Sequence, residues 1–189
     1  MEVEEVKKVL GIEFSFMYDV INPILQDLKL DKDAKILDIG TGKGRMSITL
    51  ALNNYRVLTG EPENDNSEYA KQDWLNDAKK VKVDQLITFK PFNAENLPFE
   101  DNYFDAIFIM GALHHIENPA TAFKECVRVA KKRGYICAIE PTHKGIKIIR
   151  KKIPTHPAAE DPRNYIKDLP VEIKKGFMFD VFIFKKWNL

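Results

Sequence analysis

The sequence lacks the features that mark a secreted, membrane-spanning or disulfide-stapled protein. Its only two cysteines, Cys126 and Cys137, fall in apolar surroundings without metal-ligand spacing, so we expect buried free thiols in a reducing compartment. No apolar run approaches the roughly 18 residues that a membrane span requires, and no signal peptide is evident. The net charge of only +1 neither favours nor excludes a polyanionic partner. These absences predict a cytoplasmic protein.

The composition is that of a soluble globular domain. The chain has 189 residues, of which 44% are hydrophobic and 30% charged, enough to bury a substantial core. We see no internal repeat or low-complexity tract. We therefore expect a single domain over residues 1–189, with N-terminal helices (1–33), a core (34–141) and a variable segment that ends in a last strand (142–189).

Short apolar strands alternate with amphipathic helices along most of the chain. We predict helices at 2–10, 14–30, 46–52, 67–80 and 119–132, and strands at 36–39, 55–59, 85–89, 106–110, 135–139 and 177–186. Such alternation is typical of an α/β fold with an open, mostly parallel sheet and right-handed crossovers. Five of the ten prolines lie between residues 141 and 170, which disfavours long regular structure there.

The first predicted strand ends in a loop with glycine at every second position. Gly40, Gly42 and Gly44 follow the strand directly, and an apolar helical pattern begins after them. Glycine permits positive φ and lets a ligand approach the bare backbone. The pattern predicts a strand, a ligand-binding loop and a helix in succession.

Two acidic residues flank this loop in the predicted sheet. Asp38 lies inside the first strand among Ile and Leu, where it either caps the loop by accepting glycine N–H groups or faces a cationic ligand. A pyrophosphate-binding loop would not favour a carboxylate at this place. Glu61 follows the second strand at the position where an acid binds ribose hydroxyls, although Glu63 and Asp65 nearby also allow a merely solvated loop acid.

These residues, with two later segments, resemble the class I S-adenosylmethionine-dependent methyltransferases, in particular the group that includes menaquinone and ubiquinone biosynthesis methyltransferases. The segment 36–44 resembles the first motif of the family, and Glu61 its ribose acid. The segment 93–99, continuing to Phe104 and Asp105, resembles the adenine-side loop. The segments 113–116 and 125–129 resemble the region after the fourth strand. Together these matches span residues 35–141.

The resemblance implies a three-layer α-β-α fold with strand order 3-2-1-4-5-7-6 and an antiparallel seventh strand. The C-terminal part is short for this fold, so we expect a sixth strand reduced to residues 171–173 or lost. The resemblance also implies a set of cofactor-binding residues: Asp38, Gly40, Thr41, Gly42, Gly44, Glu61, Asn93, Ala94, Met110 and Gly111. Tyr18 is added as a residue that closes the site from the N-terminal helices. The family often has Asp where this chain has Asn93, which keeps a carbonyl acceptor for the adenine amine.

The implied activity is transfer of a methyl group from S-adenosylmethionine to a small molecule, leaving S-adenosylhomocysteine. The acceptor is not identified. A basic stretch, composed of Lys144, Lys147, Arg150, Lys151 and Lys152, fits a solvated helix face, an anionic small substrate or an RNA backbone. No aromatic platform interleaves with these charges, which weakens the RNA interpretation.

No catalytic residue is assigned. The candidates for a general base are His115, His114, His143 and Glu140, with His115 named first. We expect no metal site, because the pair His114 and His115 has no further ligand at useful spacing. Two other classes stay open at this point. One is a non-catalytic cofactor-binding or partner subunit of the same fold. The other is an NAD-binding oxidoreductase, whose fingerprint G-x-G-x-x-G differs from the G-x-G-x-G of this chain.

Overall fold

The structure is a computed structural model, and it describes residues 1–65 and 71–186. Contacts within the chain divide it into two compact units, Met1–Pro91 and Phe92–Leu189. The seven strands, numbered along the chain, form one sheet in the order 3-2-1-4-5-7-6. This order confirms the α/β fold that the sequence predicts.

The first unit contains two N-terminal helices followed by alternating strands and helices. Its elements are α1 (Val3–Leu10), α2 (Ile12–Leu28), β1 (Ile36–Ile39), α3 (Arg45–Leu52), β2 (Val57–Gly60), α4 (Trp74–Lys80) and β3 (Ile87–Phe89). Strands β1, β2 and β3 pair in parallel. The sequence of β1 is apolar apart from one acid, and all four residues are buried, as a strand covered on both faces requires.

The predicted apolar stripe of the second helix forms part of the core. Its buried members are Phe14, Met17, Tyr18, Ile21, Ile24, Leu25 and Leu28. Gly11, with φ +84°, separates α1 from α2. Because L side chains rarely adopt this conformation, glycine at this position explains why two helices form rather than one.

The second unit contains the remaining strands and two helices. Its elements are β4 (Phe104–Met110), α5 (Pro119–Val129), β5 (Ala130–Pro141), α6 (His143–Ile149), β6 (Val171–Lys174) and β7 (Phe179–Lys185). Strand β4 pairs in parallel with β5, whereas β7 is antiparallel to both β5 and β6. The sixth strand is therefore short but present. Cys126 and Cys137 are buried free thiols in this unit, as predicted.

The fifth strand begins earlier than the sequence predicts. We expected a helix to Lys132 and a strand from residue 135, but α5 ends at Val129 and β5 starts at Ala130. The reason is a tertiary contact, because Ala130 pairs with Phe104 before the register shifts. Gly134 therefore lies inside the strand, where an added Cβ would come within 2.9 Å of the Lys131 carbonyl oxygen.

Other boundaries differ by a few residues. The helix predicted at 67–80 begins at Trp74, where the Asp73 side chain accepts the Asn76 N–H; its predicted member Tyr69 lies outside the described residues. The strand predicted at 85–89 spans only Ile87–Phe89, since Asp84–Leu86 form a 3₁₀ turn. Within the described ranges, none of the helices has the length and apolarity that a bilayer-spanning segment needs.

Candidate cofactor site

The glycine loop connects β1 to α3 and owes its shape to three residues with positive φ. The φ angles of Gly40, Gly42 and Gly44 are +84°, +46° and +68°. The Gly40 N–H donates to the Gly60 carbonyl at 2.9 Å, and the Gly44 N–H donates to the Thr41 carbonyl at 2.7 Å. The loop thus continues the pairing of β1 with β2 and then turns directly into the helix.

Two of these glycines have different surroundings. A Cβ added to Gly42 would meet nothing within 4 Å, so the backbone here borders open space. A Cβ added to Gly44 would lie 2.9 Å from Trp74 Cβ. Gly42 is therefore available to a ligand, while Gly44 allows close packing against α4.

Asp38 is buried in the middle of a hydroxyl network, with 1% of its surface exposed. Its Oδ2 accepts hydrogen bonds from Ser47 and, at 3.0 Å, from Thr59. The Thr59 hydroxyl also lies 2.9 Å from the Thr41 hydroxyl, so the side chain of Thr41 is engaged inside the protein. These donors are hydroxyl groups; the glycine N–H groups that the capping interpretation requires do not bind Asp38 in the described hydrogen bonds.

The two carboxyl oxygens of Asp38 differ in their hydrogen bonding. Oδ1 is buried, and no group among the described residues donates a hydrogen bond to it. Burial raises the pKa of Asp38 to about 7, although the Ser47 and Thr59 hydroxyls act in the opposite direction. A carboxylate in this state gains stability from any cationic donor that reaches it.

Glu61 joins the end of β2 to the glycine loop. Its Oε2 accepts the Gly42 N–H at 3.2 Å, and the side chain is half-buried. Burial raises its pKa, with the Gly42 hydrogen bond opposing the change. Glu61 is thus an ordered carboxylate beside the loop and differs in this from Glu63, which is exposed.

Tyr18 is buried within the two N-terminal helices. Its ring lies 6.0 Å from that of Phe14, and the Lys7 Nζ lies 5.4 Å from its ring centre. A cavity of about 210 Å³ opens nearby in the first unit, between Glu13, Lys43 and Trp74 among others. Its lining includes neither Asp38 nor Glu61, so this cavity differs from the site that the sequence predicts. A role of Tyr18 in closing the site stays a prediction.

The predicted adenine-side residues lie in the loop before β4, in the second unit. The Asn93 side-chain oxygen accepts the Glu95 N–H at 2.8 Å, and the Asn96 N–H donates to the Asn93 carbonyl at 3.1 Å. Asn93 is exposed and Ala94 is buried. The side-chain oxygen of Asn93, which we predicted to accept the adenine amine, thus already accepts a hydrogen bond within a turn. A carbonyl oxygen can accept a second hydrogen bond.

This loop is fixed by an ion pair on α5. Arg128 donates to the carbonyls of Leu97 and Phe99 at 2.9 and 2.8 Å, while Glu125 accepts the Leu97 N–H at 2.8 Å. Arg128 and Glu125 also bind each other through two hydrogen bonds, and this pairing lowers the pKa of Glu125. The resemblance to the family includes Glu125 and Arg128 but does not predict that they hold this loop. The feature of the sequence that indicates an ion pair is their spacing of three residues on a predicted helix.

The end of β4 carries the remaining predicted residues. Met110 ends the strand, and Gly111 follows with φ +60° while donating its N–H to Ile139 at 2.8 Å. The next turn, Leu113–His115, places His114 inside the protein against Glu140 and leaves His115 exposed. These residues therefore lie at the carboxyl ends of β4 and β5, where open α/β sheets bind ligands.

Comparison with known proteins identifies the family. A model described as methyltransferase domain matches residues 37–138, which is more than half of the chain. The chain belongs to the class I S-adenosylmethionine-dependent methyltransferases. The glycine loop, Asp38 and Glu61 all fall inside the matched region. This family assignment replaces the alternative function of an NAD-binding oxidoreductase.

Relatives within this methyltransferase family act on small molecules. The chain is 31% identical over 118 residues to the ubiquinone/menaquinone biosynthesis C-methyltransferase of Rickettsia prowazekii, covering 57% of this chain and 44% of that protein. It is 29% identical over 107 residues to the 27-O-demethylrifamycin SV methyltransferase of Amycolatopsis mediterranei, covering 57% and 38%. The chain thus spans less than half the length of either relative.

A solved structure shares the fold of this chain over nearly its whole length. It comes from Methanococcus maripaludis and belongs to a protein assigned to the S-adenosyl-L-methionine-dependent methyltransferases. The TM-score is 0.70 at 22% identity, covering 98% of this chain and 90% of that one. At this identity the likeness supports the fold and does not extend to a substrate.

Proposed function

We propose that this chain binds S-adenosylmethionine and transfers its methyl group to a small molecule. The observation that carries the proposal lies at the ends of β1 and β2. There Gly42 presents open backbone and donates its N–H to Glu61, and the buried Asp38 has one oxygen without a donor among the described residues. Family membership supports the same activity. The resemblance to quinone and rifamycin methyltransferases supports a small-molecule acceptor.

Two features of the first unit fit S-adenosylmethionine. Asp38 Oδ1 is a buried acceptor with no donor among the described residues, so a ligand ammonium that donates to it would satisfy it. Gly42 presents bare backbone to open space, so a ligand can pass where any side chain would project. Glu61 then holds the ribose hydroxyls. Asn93, Ala94, Met110 and Gly111 remain our candidates for the adenine and methionine contacts of the second unit.

The bound cofactor would supply a methyl group on a positively charged sulfur, ready for in-line displacement by the acceptor atom. The protein's contribution to such a reaction is mainly alignment and exclusion of water, and proximity alone can contribute roughly 7–11 kcal/mol. A general base adds about 10²–10⁴-fold and is not required by an acceptor that is already nucleophilic. His115 is exposed in the turn after β4 and is the candidate for a base as long as its ring binds no metal ion.

The basic stretch after β5 supports an RNA acceptor less than it supports a small-molecule acceptor. Two of its five cations have partners in the chain: Arg150 donates to the His156 carbonyl at 2.8 Å, and Lys144 lies 5.5 Å from the ring centre of the exposed Phe177. The α6 helix that carries Lys144 and Lys147 has only seven residues. A small-molecule acceptor therefore remains the proposal, with RNA as one outcome of the test.

The test is transfer of label from methyl-labelled S-adenosylmethionine by the full-length chain. Phenols and quinols, other small nucleophiles, and total RNA are offered separately. We expect transfer to the small molecules, a loss of about tenfold or more in Glu61→Gln, and unchanged transfer in the exposed control Glu63→Gln. Label appearing in RNA alone would overturn the acceptor class. Tight cofactor binding with no transfer to any acceptor would instead favour the non-catalytic subunit.

A further inference from the structure

Three of the chain's four histidines come together in the second unit. His114 follows β4, His115 is its neighbour, and His156 lies beyond α6. One ring nitrogen from each lies within 4.8 Å of the corresponding nitrogens of the other two. In the sequence the pair His114 and His115 has no further ligand at useful spacing, and the fold brings His156 beside this pair.

The ring of His114 is oriented by the carboxyl group of Glu140. The His114 Nδ1 lies 2.5 Å from Glu140 Oε2, and the other oxygen of Glu140 accepts the Leu113 N–H at 3.2 Å. When Glu140 is a carboxylate it can only accept, so the Nδ1 of His114 is then the donor in this pair. The Nε2 then presents its lone pair, and this buried atom has no hydrogen-bond partner among the described residues.

A backbone carbonyl orients the ring of His156 in the same way. Its Nδ1 lies 3.2 Å from the Pro157 carbonyl oxygen, which can only accept, so Nδ1 again carries the proton. Its backbone is held by a hydrogen bond from Arg150. Two imidazoles thus have their Nδ1 atoms within hydrogen-bond distance of oxygen, which is the usual arrangement of metal-binding histidines.

His115 completes the group from the surface side. The centre of its ring lies 4.3 Å from that of His114 and 5.1 Å from that of His156, and the His114 and His156 rings are 5.0 Å apart. The cluster combines two buried residues, each oriented by an oxygen acceptor, with one exposed residue that leaves access for an ion. The Glu140 carboxylate supplies negative charge at the buried end.

We propose that His114, His115 and His156 bind a transition-metal ion of the zinc class, with Glu140 orienting His114. Three imidazoles and no thiolate favour Zn²⁺ and its neighbours over Mg²⁺ or Ca²⁺, which prefer oxygen ligands. Three protein ligands leave a fourth tetrahedral position for water or a substrate atom. The proposal does not depend on cofactor binding, since its residues lie entirely in the second unit.

The geometry requires only a small adjustment. A tetrahedral zinc ion lies about 2.0–2.1 Å from each nitrogen, which places the nitrogens roughly 3.3 Å from one another. The present separations of at most 4.8 Å reach that value by ring rotation of the exposed His115 and a small shift of the His156 segment. Arg150 is the cation near this segment, and its side chain is already directed to the His156 carbonyl.

The test is a titration of the chelator-stripped full-length chain with ZnCl₂ by calorimetry, and with Co²⁺ by visible absorption. We expect one ion per chain with a dissociation constant below about 1 μM, and for Co²⁺ the intense visible bands of a four-coordinate site. His156→Ala and His115→Ala should each weaken binding by more than the 10–100-fold that loss of an orienting residue such as Glu140 costs. Thermal unfolding with and without Zn²⁺ verifies that each variant is folded, and Zn²⁺ should raise the midpoint of the parent and of His143→Ala more than that of either cluster variant.

The fourth histidine provides the matched control. His143 is exposed at the start of α6 and lies outside the cluster, so His143→Ala should bind Zn²⁺ like the parent. The proposal is overturned if the parent takes up no stoichiometric ion, or if either cluster variant binds as well as the parent. It is equally overturned if His143→Ala loses the ion. A chain that binds zinc but no S-adenosylmethionine would refute only the function proposed above.

Discussion

The buried carboxylate of Asp38 should impose a measurable pH dependence on stability. Its pKa is raised by burial from an ordinary value of 3.8 to about 7. Between these two values the folded protein keeps a proton that the unfolded chain has released, so the free energy of unfolding falls as pH rises. Above pH 7 both states are ionised, and this contribution becomes constant.

The size of the effect follows from the same numbers. Each pH unit in this interval corresponds to about 1.4 kcal/mol, so the ionised Asp38 destabilises the folded state by about 4 kcal/mol at pH 8. The variant Asp38→Asn has no titrating group here. Its free energy of unfolding relative to the parent should therefore increase by about 2–3 kcal/mol between pH 5 and pH 7. Its absolute stability is less informative, because the buried amide introduces donors that cost about 1–3 kcal/mol if unpaired.

The assay is urea denaturation followed by circular dichroism at pH 5, 6, 7 and 8, for the parent, Asp38→Asn and the control Asp33→Asn. Asp33 is exposed, and the control makes the same change of charge there. We expect the difference between parent and Asp38→Asn to grow with pH and then level off. Profiles that run parallel across the range would show that burial does not raise the pKa of Asp38, and the reasoning would be refuted.

Two further predictions concern the loops. Gly42→Ala should weaken S-adenosylhomocysteine binding by about tenfold or more with a small loss of stability, whereas Gly44→Ala should lower the unfolding midpoint, because its Cβ would lie 2.9 Å from a tryptophan Cβ. Equal losses of stability in both variants would contradict this distinction. Arg128→Gln should speed hydrogen exchange of the Leu97 amide by leaving Glu125 without its partner. Exchange at the parent rate would show that the ion pair does not fix the loop.

Much of the fold could be predicted from local pattern. The glycine loop follows from glycine at every second position after an apolar run, and the three positive φ angles confirm why other residues are disfavoured there. The strand order came with the resemblance and was confirmed. The start of β5 could not be predicted, because the pairing of Ala130 with Phe104 overrides a helical pattern that continues to Lys132.

The environment of the site depends on contacts that periodicity does not encode. The hydroxyl donors of Asp38 come from a neighbouring strand, through the register that opposes Asp38 to Thr59, and from Ser47 on the following helix. His156 lies in a proline-rich segment without a strand or helix pattern, so nothing in the sequence placed it beside His114. Its position depends on how the segment after α6 folds back onto the ends of β4 and β5.

The central claim is that the carboxylate of Asp38 binds the ammonium of an amino-acid–nucleoside cofactor. Calorimetric titration at pH 8 compares S-adenosylhomocysteine with 5′-methylthioadenosine, which lacks the amino-acid part, on the parent and on Asp38→Asn. A lost charged hydrogen bond costs about 1.5–3 kcal/mol, so the variant should lose about tenfold or more in affinity for S-adenosylhomocysteine and none for 5′-methylthioadenosine. No binding of S-adenosylhomocysteine by the parent, or equal losses for both ligands, would contradict the account.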